Sequence, residues 1–221
     1  MTRTKSTSAN SIRRPRNSLS REEILNAAER VGQRVGGDLT IREIAGDLGA
    51  SPMSLYRYFD SREILISNLL DRIMSRFEYP TRTGDLQTDL VDFARSHKRL
   101  LDAHPWAVSL FFTHPSPGPA TDRIGETALS ILVGGGLSRE MAVSVFSAVI
   151  ALNYGWASFA KARSESVING TPGLSLADSL SLLSDDEFPV TRQVAPELVE
   201  YGAHRHYELA LGVLVTGLRT V

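Results

Sequence analysis

The sequence predicts an all-α protein, with a three-helix helix-turn-helix domain at the N-terminus and a larger helical domain behind it. Apolar residues recur at helical spacing along most of the chain, and no stretch alternates with the two-residue period of a strand. Helix starts are marked as well. Ser20 with Glu23, Thr40 with Glu43 and Asp60 with Glu63 each read as a capping box, in which side chains and backbone at a helix start satisfy one another. Between the second and third boxes two short apolar stripes flank Gly49, the layout of a helix-turn-helix.

The first helix opens at Ser20 and carries Ile24, Ala27, Ala28, Val31 and Val35 to a stop at Gly36-Gly37. Thr40 opens the second, which turns Ile41, Ile44, Ala45 and Leu48 inward and ends at Gly49. Ser51-Pro52 opens the third, because serine caps well and proline fits the first helical position; it runs through Tyr58. The fourth starts from the Asp60 box, carries Ile64, Leu65, Leu69, Ile73 and Phe77, and stops before Pro80. A fifth helix is expected over 86–103 and a short sixth over 106–112. The run from Thr113 to Pro119 holds three prolines and reads as a loop. A seventh helix, 120–133, breaks at Gly134-Gly135-Gly136, and Ser138 caps a long eighth that reaches Arg163. Residues 164–190, rich in Ser, Gly and Pro with an acidic run at 185–187, predict a mobile loop holding a short helix at 176–183. The last helix is expected over 196–219. The organisation is therefore an arm (1–19), the helix-turn-helix domain (20–66) and a helical domain (67–221).

Composition narrows the functional classes. A chain of 221 residues, 42% hydrophobic, can bury a sizeable core. Its formal net charge is only −1, yet residues 1–21 hold Arg3, Lys5, Arg13, Arg14, Arg16 and Arg21 and no acid. A basic end on a near-neutral protein reads either as a polyanion contact or as a solvated, disordered tail. The chain has no cysteine, which excludes disulfides, Cys-ligated zinc and thiol catalysis. No apolar stretch follows the N-terminal charges, so no signal peptide is expected. Residues 141–160 are uncharged and long enough to span a bilayer, but they include Ser144, Ser147, Asn153, Tyr154 and Ser158 and lack flanking aromatic belts. They predict a helix buried on all faces of a soluble, cytoplasmic protein, with no membrane partner.

The helix-turn-helix points to duplex DNA. Its second helix should lie in the major groove and present small or hydrogen-bonding side chains. Ser54 can reach a base edge or phosphate; Pro52 and Met53 can touch a thymine methyl; Tyr56 and Tyr58 carry hydroxyls suited to phosphate. Arg57 fits phosphate or guanine, or equally a solvated surface charge, and Leu55 and Phe59 read as core. Thr40 with Arg42, and Ser61 with Arg62, stand at helix N-termini, where free N–H groups and the helix dipole favour phosphate.

The stretch LTIREIAGDLGASPMSLYRYFDSRE, Leu39 to Glu63, resembles the TetR family of repressors, most specifically in Leu55, Tyr56 and Phe59 followed by Ser61 and Arg62. The resemblance covers 20–66 and implies DNA contact by Thr40, Arg42, Pro52, Met53, Ser54, Tyr56, Tyr58 and Arg62, the last standing where the family usually has Lys. More weakly, 86–221 is similar to the ligand-binding domain of the tetracycline-repressor subgroup, in the Thr113-His114-Pro115 loop, the long eighth helix and the final helix. That similarity implies an effector pocket among helices five to eight and a swing of the fourth helix when it fills. It implies a repressor released from its operator by a small molecule. An effector-independent or activating DNA binder is the alternative.

The residues carry part of this independently. The eighth helix and residues 209–215 of the last are apolar nearly all round. One broad face of each can be hidden within the chain, so the other predicts a homodimer through 138–163 and 196–219. Candidate effector-binding residues are His97, Trp106, Phe111, His114, Asn153 and Trp156, each of which also reads as core or cap. Phe93 and Phe111 lie near where the subgroup's polar groups are expected, which argues for a more apolar effector than tetracycline. His97 and His104 share a helical face, but no third ligand accompanies them, so neither a metal nor a cofactor is expected. No phosphate-cradling loop, nucleophile elbow or paired catalytic carboxylates are present, so the sequence does not read as an enzyme.

Overall fold

The structure, a computed structural model, describes residues 19–114, 118–168 and 176–220, with backbone alone at 160–168 and 219–220. Residues 1–18 of the basic arm, the Pro115-Ser116-Pro117 part of the loop, and 169–175 of the expected mobile segment lie outside the described residues. The chain divides into two compact units, 1–69 and 70–221. Among the described residues there are twelve α-helices, two short 3-10 turns and no strand.

The N-terminal unit holds α1 (Arg21–Val35), α2 (Ile41–Asp47), α3 (Pro52–Leu55) and the first turns of α4 (Arg62–Met74). The capping boxes at Ser20 and Thr40 both form. The turn after α1 requires glycine: Gly36 and Gly37 have φ of 71° and 103°. Ile24, Ala27, Ala28 and Val31 meet Leu39, Ile44, Ala45, Leu55, Phe59, Leu65 and Leu69 in one dry core. At its margin Asp47 accepts from Arg30 at 2.6 Å and Arg34 at 3.5 Å, so α1 clasps α2. The hydrogen bond from Arg30, more than burial opposes it, holds the Asp47 carboxyl below its usual range.

Three expectations are corrected here. The third helix ends at Leu55, not Tyr58. The amides of Tyr58 and Phe59 both fold onto the Leu55 carbonyl, at 2.9 and 3.1 Å, a tightening that brings Phe59 into the core. The fourth helix is capped by Ser61, whose hydroxyl accepts from the Ile64 amide at 3.2 Å, so Asp60 and Glu63 form no capping box there. The same helix stops at Met74; the amides of Arg76 and Phe77 turn back three residues to Ile73 and Met74, and Phe77 packs on Phe93.

The second unit continues with α5 (Leu86–Ala103), a 3-10 turn (Pro105–Ala107), α6 (Val108–Thr113), α7 (Pro119–Gly134), α8 (Arg139–Ile168), α9 (Leu176–Ser181), α10 (Pro189–Gln193), α11 (Ala195–Val199) and α12 (His204–Thr216). Helix α5 is the hub: α7, α8 and α12 all pack against it. The expected last helix is broken into α10, α11 and α12, the final break falling at Gly202 with φ of 82°. Within the chain α8 is not buried on all faces. Ala142, Val145, Val149, Asn153 and Ala157 form its buried stripe, while Val143 is 55% exposed. Its Arg139–Phe159 portion is long and apolar enough to cross a membrane by length and composition alone.

Polar contacts fix the bundle at three places. Asp89, 1% exposed, accepts from the Thr83 amide and hydroxyl, the Gly84 amide and the Arg82 guanidinium. Burial alone would raise this carboxyl; the Thr83 and Gly84 amides and Arg82 outweigh it and hold the group well below the usual range. Asp71 of α4 accepts from the Ala120 amide at 2.7 Å and so caps α7, which begins at a glycine and has no side-chain cap of its own. A Cβ on Gly118 would stand 2.7 Å from the Asp71 carboxylate. Deepest is Asn153, fully buried, whose Nδ2 donates to the Ala94 carbonyl at 2.9 Å and to His97 Nδ1 at 3.1 Å. Its Oδ1 accepts from the Tyr207 hydroxyl at 2.8 Å. The Ala94 carbonyl fixes which end of the amide is nitrogen, and this makes His97 Nδ1 an acceptor with its proton on Nε2.

Two outcomes are expected. Asp89→Asn places an amide NH2 among donors and should cost about 2–4 kcal/mol in denaturant unfolding, with the loop at 82–84 losing amide protection. An unchanged midpoint would show the cluster to be dispensable. Burial lowers His97 from 6.5 to about 4, so between those values the unfolded chain binds a proton that the folded protein refuses. Its contribution is fully present above pH 6.5 and declines as pH falls toward 4, by at most about 1.4 kcal/mol per pH unit. His97→Gln should flatten the stability profile in that window.

Candidate functional site

Two sets of residues concern function, one in each unit. In the first, Gly49, with φ of 62°, turns the chain from α2 to α3. Leu55 and Phe59 anchor α3 from below, each 1% exposed, and leave its other side chains outward. Met53 is 73% exposed and Tyr56 41%. Arg42, Ser51, Pro52 and Arg57 are exposed as well. No hydrogen bond or ion pair to another described residue engages Arg42, Tyr56 or Arg57. This gives a short helix with an apolar tip, a phenol and two cations available to a partner.

The other predicted contacts are partly spent inside the unit. The Thr40 hydroxyl donates to Glu43 Oε2 at 2.7 Å and accepts the Glu43 amide at 3.2 Å, so it serves the capping box. The Tyr58 hydroxyl donates to the Leu19 carbonyl at 2.6 Å, which leaves it no proton for a phosphate. Arg62 donates Nε to the Leu39 carbonyl at 2.7 Å and keeps its Nη groups. Ser54 donates to the Ser51 carbonyl and retains lone pairs. Arg21 was missed from sequence as a clamp: its guanidinium lies 4.3 Å above the Phe59 ring and donates to the Tyr58 carbonyl and to Asn68. Its place directly after the Ser20 cap gave no sign of this.

In the second unit the effector candidates fall into separate groups. A run of rings passes from Phe77 through Phe93, His97 and Tyr154 to Phe111 and Phe112, with centroids 5.5–6.3 Å apart. It brings His97 and Phe111 together around Tyr154, a residue the sequence did not single out. Burial raises the Tyr154 phenol to about 12, so it is a neutral donor. Asn153 faces His97 with its amide occupied on both ends. Trp156 belongs to a second group with Phe159 and Tyr207, and its indole donates to the Ala203 carbonyl at 3.4 Å. Trp106 is buried, and its indole N–H meets no acceptor. His114 closes α6, with Nδ1 3.0 Å from Thr113 Oγ1 and 3.2 Å from the Leu110 carbonyl. Among the described residues no cluster of His, Asp and Glu is arranged to hold a metal ion.

Comparison with known proteins supplies a context for both sets. The chain is 32% identical over 145 residues to an HTH-type transcriptional repressor of Mycobacterium tuberculosis, a match covering 62% of this chain and 56% of that protein. It is 30% identical over 135 residues to the HTH-type transcriptional repressor DrrR1 of Streptomyces coeruleorubidus, covering 60% and 50%. The chain thus matches a little over half the length of these relatives. Among solved structures, apo ActR of Streptomyces coelicolor superposes with a TM-score of 0.78 at 23% identity, covering 90% of this chain and 94% of that one. A possible TetR family transcriptional regulator of the same species gives 0.76 at 22% identity, covering 91% and 99%. These likenesses show the fold. Residues 24–69 match the family described as bacterial regulatory proteins, tetR family, and 80–221 match the tetracyclin repressor-like C-terminal domain. The chain belongs to the TetR family of bacterial regulatory proteins.

Proposed function

We propose that this chain is a cytoplasmic, dimeric transcriptional repressor that binds operator DNA through α3 and is released from it by a small, largely apolar effector. The observation that carries the reading is the state of α3. Met53, Tyr56 and Arg57 project from a helix whose only buried side chain is Leu55, and Tyr56 and Arg57 have no internal polar partner among the described residues. Solvent-exposed apolar and phenolic groups on so short a helix contribute nothing to the fold. They suit a groove in which Met53 touches a thymine methyl while Tyr56 and Arg57 hold phosphates. Arg42 at the α2 start and the Arg62 Nη groups extend the phosphate contacts. Tyr58 and Thr40 act by fixing the shape of this surface. The curated relatives named repressors support the sign of regulation.

The effector reading rests on the ring run around Tyr154, with Phe93 and Phe111 as walls and the His97 Nε2–H and Tyr154 hydroxyl as neutral donors. Structurally similar proteins have been solved with actinorhodin, for ActR, and with minocycline, for a TetR of Acinetobacter baumannii, which supports occupancy of this unit by a small molecule. The dimer reading rests on α8 and α12. Leu209 and Val213 of α12 are 66% and 75% exposed, and Val143 of α8 is 55% exposed. Pairing these faces across a two-fold axis would bury them and place two α3 helices for half-sites about 34–36 Å apart.

The reading is tested by gel shift on DNA flanking the chain's own gene, at two salt concentrations and against a scrambled competitor. Specific, salt-sensitive retardation is expected; equal retardation of both DNAs would sink it. Tyr56→Ala should weaken operator binding roughly tenfold or more with the dimer intact, the size expected when a positioning phosphate contact goes. Leu209→Asp with Val213→Asp should give a folded species of monomer mass, 24.2 kDa, in light scattering. A persistent dimer would place the interface elsewhere.

A further inference from the structure

An open groove of about 450 Å3 lies between α5 and α12, away from every residue assigned above to DNA or effector. Helix α5 supplies Arg95, Lys98, Arg99 and Asp102 to its wall; α12 supplies His204, Tyr207 and Glu208. Two of the three strong cations are already neutralised. Arg95 Nη2 stands 2.6 Å from Glu208 Oε2, a contact that lowers the Glu208 carboxyl and raises the Arg95 guanidinium. Lys98 Nζ stands 2.6 Å from Asp102 Oδ2, with its side chain 9% exposed and its ammonium 5.1 Å from the centre of the Tyr207 ring. Arg99 differs. It is exposed, its Nη2 donates to the neutral Ser96 hydroxyl at 2.8 Å, and among the described residues no carboxylate pairs with it. With His204 neutral, the groove therefore carries one uncompensated positive charge, held on a guanidinium that keeps Nε–H and Nη1–H donors for a further acceptor.

We propose that this groove is a binding site for a small organic monocarboxylate. Arg99 supplies the fork for the carboxylate, because a guanidinium presents parallel N–H groups at carboxylate spacing. The Tyr207 ring and the buried stem of Lys98 supply an apolar bed for the body of the ligand. A single negative charge is required, since a second would face Glu208 and Asp102 or have to displace them from their own partners. The floor of the groove is rigid, because the Tyr207 hydroxyl is held by Asn153 on the far side of the ring. The site stands independently of the DNA-binding reading, and neither depends on the other.

Benzoate is the probe, benzamide its neutral counterpart, and the full-length protein the receptor. The chain has two tryptophans, so two indole N–H resonances report. Trp156 lies 6.0 Å from the Tyr207 ring and donates to Ala203, next to His204. Benzoate should shift the Trp156 resonance saturably and leave Trp106 in place, and benzamide should shift neither. Arg99→Gln should weaken benzoate binding roughly tenfold or more, and Arg99→Lys by less, since it restores the charge without the fork. A linear response, equal binding of benzamide, or undiminished affinity in an Arg99→Gln protein of unchanged thermal stability overturns the proposal.

Discussion

A buried amide has two donors and an acceptor to satisfy, and each left unmade costs more than the bond itself gains. Asn153 meets that requirement with the Ala94 carbonyl, His97 and the Tyr207 hydroxyl, and in doing so fixes α8 to α5 and α12 at one depth. The arrangement of the second unit depends on it. It keeps His97 neutral by burial, sets the Nε2–H tautomer, and turns the Tyr207 ring so that one edge is polar and inward while its face lines the α5–α12 groove. Removing any one member would leave the others buried and unsatisfied, so these residues act as a unit.

In the first unit the equivalent constraint is economy of length. A helix of four residues cannot hold itself by its own hydrogen bonds. It is held by Leu55 beneath it, by the double return of Tyr58 and Phe59 onto the Leu55 carbonyl, and by Arg21 over the Phe59 ring. Because the support comes from outside, the exposed positions are free of any structural duty. That freedom is what allows Met53, Tyr56 and Arg57 to be chosen for a partner.

The legible parts of the sequence were those decided within a few residues. The Ser20 and Thr40 boxes, the Gly36-Gly37 stop and the limits of α5 are local chemistry, and each stands where the spacing put it. The Asp60 box failed for an equally local reason: Ser61 is an adjacent competitor for the same role, and its hydroxyl reached the Ile64 amide. The break at Gly202 was hidden because a glycine inside an apolar run is tolerated in a helix as readily as it ends one. The exposed stripe of α8 could not be told from a buried one, since both are apolar. The candidate site divides in the same way. Exposure of α3 followed from motif and period, whereas the links from His97 to Asn153 and from Arg95 to Glu208 join residues far apart in sequence, with no local signature. Tyr58 shows the limit most plainly, since a hydroxyl suited to phosphate is equally suited to a carbonyl at Leu19.

The start of α7 has a consequence of its own. A helix that brings its own cap can fray, shift or re-form as an independent body. Helix α7 has surrendered that independence, because its first available amide is held by Asp71 on α4 and the glycine before it leaves no room for anything but that carboxylate. The last turns of α4 and the first turn of α7 are therefore one mechanical part with a seam through it. Whatever displaces one must carry the other along or expose an unsatisfied charge and a row of bare N–H groups at the seam.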